Sequence, residues 1–83
     1  MHKMNQKRAL WAAAALKTFQ TKTGTDTAHE TISDLIADIG HYCDAMDLDY
    51  LKLMPGGIGV WKLEQTDPES MGIVPSVSIE VAS

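Results

Sequence analysis

Between Thr27 and Met46 the apolar residues repeat with the period of an α-helix, and this stretch constrains the fold more than any other. At about 100° per residue, Ile32, Leu35, Ile36, Ile39, Tyr42, Cys43 and Met46 fall within an arc of ~120°. Glu30, Asp34, Asp38 and His41 fall within ~80° on the opposite side by the same projection. Thr27 and Glu30 have the spacing of a capping box, in which the hydroxyl accepts an amide hydrogen at the third helical position and the carboxylate reaches back. Asp26 and Glu30 also favour the positive end of the helix dipole. The spacing predicts a helix over 27–46 with one buried face.

A second helix is expected upstream, over 4–22. Ala9, Ala12, Leu16 and Phe19 share a face, and the unbranched, alanine-rich sequence has strong helix propensity. Leu10 and Trp11 point away from that face, which marks them as a candidate interface. Gly24 follows the last periodic residue, where a left-handed conformation is easiest for glycine, and so ends the helix. Two helices joined by so short a linker read as an antiparallel helical hairpin.

Downstream the signals change. Pro55-Gly56-Gly57 predicts a stop, because proline lacks an amide hydrogen and glycine loses most backbone entropy on ordering. The alternation in residues 58–65 reads as a strand, and Val77, Ile79 and Val81 alternating with Ser78 and Glu80 make 73–81 a second. The fold expected is therefore α+β, a two-helix hairpin followed by a short β-hairpin, forming one domain over 1–83. A two-stranded sheet is marginal on its own, which points to a partner chain.

Chain size supports the same inference. A domain of 83 residues buries only ~60–65% of its unfolded surface, and chains this small often rely on disulfides, metals or association. Cys43 is the one cysteine and cannot form an internal disulfide, and no paired His/Cys spacing suggests structural zinc. Self-association, as a dimer, is the remaining route. No cofactor is expected. The longest apolar run, Ala9 to Leu16, is too short to span a bilayer, and the basic start followed by alanines lacks a leucine-type core and an A-x-A site, so it reads as helix. A single unpaired cysteine and no targeting signal make the cytoplasm the expected compartment.

Charge is sorted along the chain. Lys3, Lys7, Arg8, Lys17 and Lys22 stand in a segment without acids, whereas Asp26, Glu30, Asp34, Asp38, Asp44, Asp47 and Asp49 stand in one without lysine or arginine. The five positive charges project around the first helix, and the formal net charge is -4, so nucleic acid is a poor partner. Antiparallel neighbours of opposite sign would instead attract each other weakly. Glu30, Asp34, Asp38 and His41 could present an acidic face to a basic protein, or hold a metal for hydrolysis if another subunit completed the ligand set. Gly56-Gly57-Ile58-Gly59 lacks the strand-to-helix context of a phosphate cradle. Cys43 lies on the apolar arc, where a thiol acts as a small hydrophobe.

The pattern Glu30-x3-Asp34-Leu35-Ile36-x-Asp38-Ile39-x-His41-x2-Asp44, followed by Asp49-Tyr50, resembles a motif in small proteins of bacteria, phages and mobile elements. Those proteins share a basic, alanine-rich first helix, a Thr-Gly turn and a second helix of the form D-L-x-x-D-L-x-H-x-x-D, then D-F or D-Y. The similarity covers about residues 5–50, and the family has no assigned activity, so the resemblance assigns no functional residue. Its members continue as helix, from which Met54-Pro55-Gly56-Gly57 departs. Together these features predict a non-enzymatic interaction protein, of the kind a phage or mobile element encodes, with an anti-CRISPR-type inhibitor of a nucleic-acid enzyme as one concrete form. A metal-dependent hydrolase with a site shared between subunits, using Asp34, Asp38 and His41, is the rival class.

Overall fold

A computed structural model of the chain describes residues 2–69. Three helices follow one another: α1 (Lys3–Thr23), α2 (Ala28–Ala45) and α3 (Tyr50–Thr66).

The α1/α2 turn forms as glycine and threonine chemistry dictates. Gly24 takes φ 75°, and its amide donates to the Gln20 carbonyl at 2.8 Å. Thr27 caps α2 by accepting from the Glu30 amide at 3.1 Å, while the Glu30 carboxylate reaches back one residue further than a capping box requires, to the Asp26 amide at 3.4 Å. Beneath the turn the Thr25 and Thr31 hydroxyls share a buried hydrogen bond of 2.6 Å, and Gln20 Nε2 donates to the Thr25 carbonyl at 2.9 Å.

At the far end of α2, Asp47 adopts φ 57°. Leu48 N then donates to the Cys43 carbonyl at 2.8 Å and Asp47 N to that of Asp44 at 3.3 Å. This is the Schellman pairing, with aspartate in the left-handed position that glycine usually fills. Asp49 caps α3 by accepting from the Lys52 amide at 3.2 Å. Tyr50 then turns back onto α2: its hydroxyl donates to the Ile36 carbonyl at 2.7 Å, and its ring lies 3.0 Å from where a Cβ on Gly40 would stand. Glycine at position 40 is what lets the ring lie there.

The α+β expectation is overturned. Among the described residues there is no strand, and the stretch 58–65 belongs to α3, which runs through Pro55, Gly56 and Gly57 without a break. Neither Gly56 nor Gly57 takes a positive φ, so nothing in the backbone there demands a turn. The half-buried and buried residues Met54, Pro55, Ile58, Gly59 and Leu63 follow helical spacing, which the alternation of Val60 to Leu63 imitates over too short a window to be told apart. The second expected strand, 73–81, lies outside the described residues.

The end of α3 returns to the start of α1. Arg8 Nε meets Glu64 Oε2 at 2.7 Å, with the two side chains 26% and 20% exposed, and Asn5 Nδ2 donates to the Glu64 carbonyl at 2.9 Å. Each helix thus meets the next near its ends, and little is enclosed between them. Cys43, 3% exposed, is the one large-enough apolar side chain buried among the described residues. Ile32, Ile36 and Ile39 on the predicted apolar arc remain 41–45% exposed. Fully burying such a side chain contributes ~1.5–3 kcal/mol, so each realises only part of that within one chain.

Candidate functional site

The acidic row stands where the periodicity puts it. Glu30, Asp34, Asp38 and His41 are all exposed on α2, on the side opposite buried Cys43. Among the described residues Asp34, Asp38 and Asp44 form no ion pair; the two that occur are Arg8–Glu64 and Lys52–Asp49. The attraction between α1 lysines and α2 carboxylates that the charge sorting suggested is therefore not realised as contacts. Arg8 turns to α3 instead, and Lys3, Lys7, Lys17 and Lys22 are exposed.

A metal centre would need several ligands converging on one point. No group of three or more His, Cys, Asp or Glu side chains among the described residues could hold a metal ion. His41 and Asp44 line an open hollow at the α2/α3 corner beside Tyr50, whose hydroxyl is engaged by the Ile36 carbonyl. Cys43 is a free, buried thiol.

Leu10 and Trp11, the candidate interface residues, are 68% and 63% exposed. They are joined by a longer series of uncovered apolar groups, among them Tyr42, Met46, Leu51, Leu53 and Trp61. Exposed apolar residues are ordinary when scattered, but among the described residues one apolar side chain is buried while many stand uncovered.

A third feature has no sequence signal. α1 and α3 border a groove of about 570 Å³, with Ala9 and Ala12 on one side, Trp61 on the other, and the Arg8–Glu64 ion pair among its lining. Asn5 and Glu64, which also line it and are joined by a hydrogen bond, lie 59 positions apart in the chain. Nothing in either segment announces the pairing, and 58–65 read as a strand offers no such groove.

No protein-family model, curated protein or solved structure matches the chain. No helix among the described residues is long and apolar enough to cross a membrane.

Proposed function

We propose that this chain is a non-enzymatic protein-interaction module that self-associates and presents the Glu30, Asp34, Asp38 and His41 face of α2 to a basic partner. One observation carries it: a row of carboxylates at helical spacing stands in solvent without an ion pair among the described residues, which hold all seven lysines and arginines of the chain. Like charges at i and i+4 weaken a helix by a few tenths of a kcal/mol per pair, and a basic partner would relieve that repulsion. Electrostatic complementarity of this kind speeds encounter and sets specificity more than it adds affinity. Self-association is supported by Leu10 and Trp11, which stand 68% and 63% exposed, and by the uncovered isoleucines of α2.

The probe for the acidic face is a lysine-rich helical peptide. It should bind the full chain with an affinity that falls as salt rises, since exposed charges more than a Debye length of ~8 Å apart are screened at physiological ionic strength. Asp34→Asn with Asp38→Asn should weaken capture several-fold, while Asp47→Asn with Asp67→Asn, which removes the same charge away from the row, should leave it. Equal loss from both pairs would contradict an organised face. Sedimentation should find a dimer that Leu10→Asp with Trp11→Asp dissociates; a folded monomer at all concentrations would remove self-association from the proposal.

A further inference from the structure

We propose that the groove between α1 and α3 is the docking site of this chain's own C-terminal segment, residues 70–83. The groove is open where Trp61 remains 56% exposed, and its opposite wall is formed by Ala9 and Ala12, which are too short to fill it from their own side. An occupant must therefore supply apolar bulk. Arg8 fixes where the chain departs. Its Nη1 donates to the Pro68 carbonyl at 2.7 Å while its Nε holds Glu64, so the last described residues are tied to a groove residue.

From Glu69 the sequence runs on for at least fourteen residues, a reach of up to ~46 Å at ~3.3 Å per residue. The whole of α1, with 21 residues, is only ~31 Å long at 1.5 Å per residue. The segment can therefore follow the groove along its entire α1 wall. Its composition fits as well: Ile73, Val74, Val77, Ile79 and Val81 are branched apolar residues, and Glu80 is its one charged side chain. A tether of a few residues holds it at an effective concentration in the millimolar range, ahead of any free competitor. Leu10 and Trp11 lie ~110–150° around α1 from the groove wall at 100° per residue, so this docking leaves the proposed dimer surface and the acidic row untouched.

The test replaces Ala12 with the photoreactive residue p-benzoylphenylalanine in the full-length chain. Irradiation should give links to residues 70–83 within monomer-mass species. Val77→Asp with Ile79→Asp should cut the yield of those links several-fold and, in a full-length Trp11→Phe background, shift Trp61 emission to the red. Links to other residues alone, or links to 70–83 found only in covalent dimers, would overturn the assignment, the second result giving the groove to another copy of the chain. The cross-link in the unsubstituted tail decides the matter even if the aspartate variant folds poorly. Failure here leaves the peptide and sedimentation tests of the acidic face and the dimer unaffected.

Discussion

α2 and α3 are nearly equal in length, eighteen and seventeen residues, yet they reach the helical state by different routes. α2 is built from local signals. Thr27 and Glu30 begin it, an apolar stripe repeats along it, and the Asp47 turn ends it with both Schellman hydrogen bonds. α3 contains Pro55, Gly56, Gly57 and Gly59, which together cost about 6 kcal/mol relative to alanine if each carries its usual penalty in a helix interior. What it has instead are tethers: the Asp49 cap and Tyr50 at its start, buried Gly59 within, and Glu64 held by Arg8 and Asn5 at its end. One helix is specified by its own residues and the other by its neighbours.

Three substitutions sharpen or break this contrast. Pro55 is the sixth residue of α3, beyond the four positions whose amides need no helical acceptor, so its missing hydrogen leaves the Leu51 carbonyl without its helical donor. Pro55→Ala should raise stability by up to ~3 kcal/mol in urea unfolding; a neutral or destabilising result would mean that a turn, not a helix, passes through this position. Arg8→Met should lower stability by about 2 kcal/mol, because it removes charge-assisted hydrogen bonds to Glu64 and Pro68. Amide exchange should then rise first in the last turn of α3, and uniform acceleration across all three helices would count against a local tether. Thr27→Ala should lower stability by ~1 kcal/mol through loss of the cap. Its exchange effect should stay in the first turn of α2 and leave α3 as it was.

The same contrast explains what was legible in the sequence. Gly24, Thr27, Glu30 and the isoleucine stripe act over a few residues, so α1 and α2 could be read from spacing alone. The acidic row followed, since exposure opposite an apolar stripe is a property of the helix. α3 was misread because Pro55-Gly56-Gly57 is a strong local break and the forces that overrule it come from Arg8, Asn5 and the Ile36 carbonyl, far away in the chain. The α1/α3 groove was invisible for the same reason, since it exists only once α3 is a helix and its end is joined to α1.

That makes the backbone of α3 the most direct point of attack. Carbon-13 Cα chemical shifts of the full-length chain should show helical deviations continuing from Tyr50 through Gly56 and Gly57 to Thr66. A change of sign to extended values across Ile58 to Leu63 would contradict the three-helix arrangement and remove the groove with it.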